Sequence, residues 1–134
     1  MRYAQRLGMA SALALAACAV SYSVAAADEY GPFKEMKTAA GTVLTDPKGM
    51  TLYTYDQDKA GTSTCVDQCA ANWPPVMATT TDKPVGSLTI IKRPDGMLQW
   101  ADEGKPLYTF IQDKKPGDMT GDKMKDVWHV VKEE

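Results

Sequence analysis

Shifted by 55 positions, the chain falls back onto itself. Gly41 meets Gly96, Gly49 meets Gly104, Leu52-Tyr53-Thr54 meets Leu107-Tyr108-Thr109, and Gln57-Asp58-Lys59 meets Gln112-Asp113-Lys114. Asp67, Trp73 and Val76 then meet Asp122, Trp128 and Val131, which makes 11 identities over the 37 positions from Gly41 to Met77 without a gap. Unrelated sequence gives about two or three over such a span. A duplication in register confines the chain to folds that two copies of one small unit build together.

Each copy reads as strand, turn, strand. In the first, Thr42 to Thr45 is β-prone, Asp46-Pro47-Lys48-Gly49 is turn chemistry with Pro at its second position, and Met50 to Tyr55 is the returning strand. In the second, Met97 to Ala101 leads through Asp102-Glu103-Gly104 to Leu107 to Ile111. Alternation puts Leu52 and Thr54 opposite Tyr53 and Tyr55, and Leu107 and Thr109 opposite Tyr108 and Phe110. The aromatic face is expected to be the buried one, because rings bury the most area per residue. Tyr53, Tyr55, Tyr108, Phe110, Trp73 and Trp128 are therefore the expected core. Ser87 to Lys92 and Val127 to Val131 read as further strands, Thr79 to Gly86 as a polar linker, and Cys65 to Asn72 as one short helix capped by Ser63 or Thr64 and stopped by Pro74-Pro75. The fold class is mainly β: two pseudo-repeated hairpin units in one small domain.

The first residues are a targeting signal. Met1 to Gly8 carries Arg2 and Arg6 and no acid, and Met9 to Val20 is small and apolar throughout, too short to span a bilayer comfortably. Ala25 and Ala27 occupy the small-residue positions before Asp28, so residues 1–27 are a signal peptide, 28–40 an N-terminal lead-in, and 41–134 one domain with repeats at 41–77 and 96–132. Leu15-Ala16-Ala17-Cys18 offers a competing lipobox, in which Cys18 is lipidated and anchors the chain to the envelope. The apolar run from Ala19 to Ala27 favours the soluble route, because a lipoprotein tether is polar. Losing Arg2 and Arg6 moves the net charge from −2 to −4. With no basic patch, nucleic acid is not an expected partner, and a membrane is one only through Cys18.

The two matched strands each carry Tyr-x-aromatic-x-x-Asp, as Tyr53-Thr54-Tyr55-Asp56-Gln57-Asp58 and Tyr108-Thr109-Phe110-Ile111-Gln112-Asp113. Gly49-Met50-Thr51-Leu52 precedes the first; Cys65-x-x-x-Cys69 and Asn72-Trp73-Pro74-Pro75 follow it, and Trp128-His129-Val130-Val131 closes the second. Together these resemble the bacterial secreted repeat of unknown function, a family also described as predicted lipoproteins with this repeated motif. The resemblance covers about Ala40 to Lys132 and implies export, two repeats and no established activity.

Candidate chemistry is sparse. In an oxidising exported compartment, Cys65 and Cys69 are expected to form a structural disulfide. Four apart on a regular helix they would sit near the upper limit of bridgeable separation with nearly parallel Cβ vectors, so the segment must bend. The same sulfurs allow a soft-metal reading in which Cys65, Cys69, His129 and Met124, the residue onto which Cys69 falls in the shift, hold copper(I). Asp58 and Asp113 lie just past strand ends and read as turn residues that accept backbone amides. His129 is the only histidine and reads as a strand residue, and one His singles out no Ser, His, Asp order. No phosphate-cradling loop, haem-attachment motif or dinucleotide fingerprint is present in the sequence. No catalytic constellation emerges, so the chain reads as a small periplasmic or envelope binding or interaction module. These residues do not specify its partner, for which an envelope protein and a metal are both open; copper handling is the alternative, and thiol redox chemistry stands behind it.

Mass spectrometry of the mature N-terminus is expected to find Asp28; a diacylglycerol-modified Cys18 would refute the soluble route.

Overall fold

The computed structural model describes residues 30–133; the signal segment and Cys18 lie outside them. The elements in order are β1 (Lys34–Thr38), β2 (Gly41–Thr45), β3 (Tyr53–Tyr55), α1 (Gln68–Asn72), β4 (Met77–Ala78), β5 (Leu88–Lys92), β6 (Leu98–Asp102), β7 (Lys105–Pro106), a one-turn 3-10 helix (Met124–Asp126), β8 (Trp128–Val130) and β9 (Lys132–Glu133). They form sheets of order β1-β2-β9, β3-β8 and β4-β6-β5, with β7 also on β6. All named pairs are antiparallel.

The two copies are related by a local two-fold axis, and their strands are exchanged across it. Tyr53 and Tyr108, mates in the 55-residue shift, trade both backbone hydrogen bonds at 2.8 and 2.9 Å. Equivalent residues paired antiparallel place the axis between them. Other mates repeat one another: Val76 N–H donates to Leu107 O as Val131 N–H does to Leu52 O, and Ile111 N–H donates to Asn72 O as Asp56 N–H does to Val127 O. The strand that ends the first copy, β4, pairs with β6 of the second, and β9, which ends the second, pairs with β2 of the first.

Two expectations about strands change. The segment Met50 to Tyr55 returns along β2 only at the Thr45–Thr51 bridge and the Leu52 N–H to Leu44 O bond; its last three residues form β3 and pair instead with β8, Tyr53 opposite Val130 and Tyr55 opposite Trp128. The second hairpin is genuine but short, Ala101 opposite Pro106 and Asp102 opposite Lys105, after which Tyr108 bridges to Tyr53 and Pro75. The lead-in contains a strand, β1, whose largely exposed Lys and Glu residues carry little apolar alternation to reveal it. The terminal run is split into β8 and β9.

The gapless register also hides a slip. Leu44 and Trp100, 56 apart, are the structural mates, donating to Val131 O and Val76 O respectively. Pro47 to Gly49 make a three-residue turn, braced by the Asp46 carboxylate accepting from Lys48 and Met50 N–H, whereas Glu103 and Gly104 suffice in the second copy. There both residues have positive φ, 52° and 84°, as a two-residue hairpin turn demands, and Gly takes the second without penalty. One residue fewer in that turn restores the 55 spacing at Leu52 and Leu107.

Burial corrects the expected single aromatic face. Neighbouring residues enter two different cores: Val43, Tyr53, Tyr108 and Val130 face an aromatic cluster with Trp73, Phe110 and Trp128, while Leu44, Leu52, Leu107 and Val131 face a second cluster with Phe33, Leu88 and Trp100. The central strands are buried on both faces, so ring area did not decide which side points inward. The six expected core rings do gather in the first cluster, with Tyr55 partly exposed. Trp100, not among them, anchors the second.

The helix is shorter than Cys65 to Asn72. It begins at Gln68 with Asp67 as N-cap and no side-chain capping bond; Ser63 and Thr64, the expected caps, are hydrogen-bonded instead to Tyr108 and Asp58. Cys65 therefore precedes the helix, which brings the Cys65 and Cys69 Cα atoms to 5.2 Å.

A fragment ending at Gly86 leaves β2 without β9 and β4 without β6. It is expected to lack cooperative thermal unfolding; a sharp transition would contradict the exchanged-strand account.

Candidate functional site

The sequence motif residues build the centre of the molecule. Phe110, Trp73, Trp128 and Tyr55 stack in that order, with centroid separations of 4.0, 3.8 and 4.2 Å, and the two indoles are parallel to within 3°. Tyr53 meets the edge of Trp73 and Tyr108 that of Trp128, each at 5.3 Å. Each such contact adds about 0.5–1.5 kcal/mol beyond area burial. Gly121 belongs here too, a position the repeat did not flag. A Cβ on it would come within 2.5 Å of the Trp73 ring, and its N–H donates to the Tyr53 hydroxyl.

Asp58 and Asp113 do accept backbone amides, but only with one oxygen each. Asp58 Oδ1 accepts from Thr64 N–H and Oγ1, six residues on, and Asp113 Oδ1 from Thr120 N–H and Oγ1, seven on. The second oxygen crosses the axis. Tyr53 OH donates to Asp113 Oδ2 at 2.6 Å and Tyr108 OH to Asp58 Oδ2 at 2.7 Å, so each copy's tyrosine is held by the other copy's aspartate. The two spacings, Tyr-x-x-x-x-Asp in each strand, encode a reciprocal clasp rather than two separate turns. Bonds of this kind to a charged acceptor contribute about 1.5–3 kcal/mol each.

One half extends this clasp with residues that sequence reasoning missed. Tyr108 spends its proton on Asp58, so its oxygen accepts from Ser63 Oγ, 2.6 Å away; Ser63 in turn accepts from Arg93 Nη1 at 2.9 Å. Arg93 is 5% exposed, and its remaining partners are Gln99 Oε1 and the Cys65 carbonyl. Neither Arg93 nor Gln99 has a chemical counterpart in the other copy, so no repeat signal marks them.

The described residues include one histidine–carboxylate hydrogen bond, between His129 Nε2 and Asp56 Oδ2 at 2.7 Å. Strand pairing sets His129 opposite Thr54, with Asp56 two residues on. Around this pair runs an open groove, seen as two adjoining hollows of about 220 and 290 Å³ that share Thr54, Asp56, Glu103 and Lys105. Asp58 and Lys59 line one end, Asp102, His129 and Lys132 the other. Both signs of charge are therefore presented within one strand-walled cleft.

The copper set is not assembled. The Cys65 and Cys69 sulfurs are at bonding distance and so are not thiolates, His129 is engaged by Asp56, and Met124 packs against the aromatic cluster. Among the described residues no group of three or more His, Cys, Asp or Glu is placed to hold a metal ion. The cysteines and His129, each confined to one copy, serve separate structures.

The model of a family described as a secreted repeat of unknown function matches residues 34–77 and again 89–132. The matches are offset by 55 and open at or one residue inside β1 and β5, so each takes in the first strand of its half. No curated protein and no solved structure matches the chain. No helix among the described residues is long and apolar enough to cross a membrane.

Burial, followed by the bond to a carboxylate, raises both buried phenols well above their usual 10.0: Asp113 acts on Tyr53, and Asp58 on Tyr108 against an opposing bond from Ser63. Folded-state values above the unfolded ones mean this stabilisation is complete below pH about 10 and is lost as pH rises through the raised values. An alkaline titration is expected to show Tyr53 and Tyr108 forming phenolate only together with loss of the near-UV aromatic signal. Titration of every tyrosine near pH 10 with that signal intact would refute the clasp.

Proposed function

The chain belongs to this family of secreted repeats of unknown function, and from that premise we propose that it is a small exported binding module of the periplasm or envelope, recognising its target through the groove beside Asp56 and His129. The observation that carries this reading is an internal comparison. Two copies of one fold face the same folding problem, so residues the fold requires recur in both, as the Tyr–Asp clasp and the paired tryptophans do.

Four of the groove residues behave differently. In the 55-residue register Asp56 is replaced by Ile111, His129 by Pro74, Lys105 by Met50 and Lys132 by Met77. A separate hollow of about 190 Å³, lined by Pro32, Phe33, Pro47, Val76, Met77, Asp82 and Trp100, contains Val76 and Met77, the counterparts of Val131 and Lys132, but none of Ile111, Pro74 or Met50. The same backbone framework thus carries charged or titratable side chains at these four positions in one copy and uncharged ones in the other. The fold does not need these charges, since its other copy lacks them, and their assembly along one groove fits a polar ligand bearing both signs, such as a short peptide segment. Cleavage before Asp28 would release the module into the periplasm.

A short peptide containing one Lys and one Glu is the probe. Titrated into isotope-labelled protein, it is expected to shift the resonances of Thr54, Asp56, Lys105 and His129. Lys105→Met/Lys132→Met should weaken that response at least about tenfold, the loss of two charge-assisted contacts, without changing thermal stability beyond that of a surface substitution. Shifts absent from the groove, or unchanged in the variant, would refute the assignment.

A further inference from the structure

The disulfide of the first copy closes a ring from Cys65 to Cys69. In the 55-residue register the second copy has Thr120 to Met124 there, with no cysteine. That disulfide-free segment still leads to Trp128, which lies against Trp73 as its parallel mate. It reaches this position with Lys123, Lys125 and Asp126 at positive φ, 64°, 53° and 61°. The duplicated fold therefore contains its own version of this segment without a covalent bond, and its topology does not depend on one. A ring this short also restricts the unfolded chain less than a long one would.

The two sulfurs differ in setting. Cys65 is fully buried, and its carbonyl accepts from the Arg93 guanidinium at 2.9 Å. Cys69 is only partly buried, and the ring residues between them, Val66, Asp67 and Gln68, are exposed. Asp67, inside the ring, holds φ 55° and ψ −121°, a conformation that side chains rarely adopt. Of the two, Cys69 is the residue with solvent-exposed surface, while Cys65, fully buried within the aromatic cluster, is shielded from attack, so entry is set by access.

We propose that Cys65–Cys69 is a thiol–disulfide exchange site, entered at Cys69, for an exported partner carrying a dithiol. The partner's thiolate attacks Cys69 Sγ; a new sulfur–sulfur bond forms there, the Cys65–Cys69 bond breaks, and Cys65 leaves with the electron pair and takes up a proton. The partner's second thiolate then attacks its own sulfur in the mixed disulfide, releasing Cys69, which is protonated in turn. Two electrons and two protons pass to this chain, and the partner leaves as a disulfide. Ser63 and Thr64, next to Cys65, hold Tyr108 and Asp58, so exchange acts on the loop that braces one side of the clasp.

Reduced glutathione is the probe, applied to the folded mature protein and quenched with acid before mass spectrometry. The mixed disulfide is expected on Cys69 over Cys65 by about tenfold or more, with native reduction within about tenfold of the rate in denaturant. The reduced protein should keep one cooperative thermal transition, as should Cys65→Ala/Cys69→Ala. Reduction only after unfolding, adducts on Cys65, or loss of the transition in either form would overturn the proposal and assign the bond to structure alone. None of these readouts depends on the groove, so the two assignments fail separately.

Discussion

Trp73 and Trp128 lie face to face at 3.8 Å across the axis that relates the two copies, and Tyr53 and Tyr108 pair backbone to backbone beside them. Everything else in the molecule is arranged around this meeting of mates. Two-fold symmetry allows a residue to pack against its own counterpart, which is why one planar aromatic and one strand residue per copy suffice to define the centre. The exchange of β4 and β9 follows: the last strand of each copy crosses the axis and completes the other copy's sheet. Neither copy owns a finished sheet or a finished core.

The reciprocal Tyr–Asp bonds solve a problem that the stack creates. Packing two phenols in the interior buries two hydroxyl groups, and an unpaired one costs about 1–3 kcal/mol. Each finds a carboxylate from the opposite copy, and the remaining oxygen of that carboxylate is held by a threonine just beyond it. The second bond to each phenol oxygen is where the copies part company, Gly121 N–H on one side and Ser63, backed by Arg93, on the other. Arg93 is a buried cation whose hydrogen bonds all go to neutral oxygens, and it ties the cysteine loop of one copy to the strands of the other.

Duplication also separates what a residue does for folding from what else it does. The matched glycines, tyrosines, aspartates and tryptophans are absorbed by turns, the clasp and the stack. Asp56, His129, Lys105 and Lys132 have apolar or proline counterparts at positions with the same backbone role, and the disulfide has none. These unmatched residues are where chemistry beyond folding is to be sought, and they lie in two places, the charged groove and the Cys65–Cys69 ring.

The sequence by itself determined the repeat, the β class, the turn at Asp46–Gly49 and the ring-rich core, and it left Cys65 and Cys69 open between a disulfide and a metal site. These depend on local periodicity and on residue types with few alternatives. It could not determine which strand pairs with which, because a hairpin and an exchanged strand have the same local pattern, and it assigned Tyr53–Tyr55 to the wrong neighbour for that reason. Nor could it show that Leu52 and Tyr53 face two different cores, since alternation distinguishes faces without saying whether one or both are covered. The partnership of Tyr53 with Asp113, 60 residues away, and the meeting of Asp56 with His129, 73 away, were decided only when the two-fold axis folded one copy's strand against the other's.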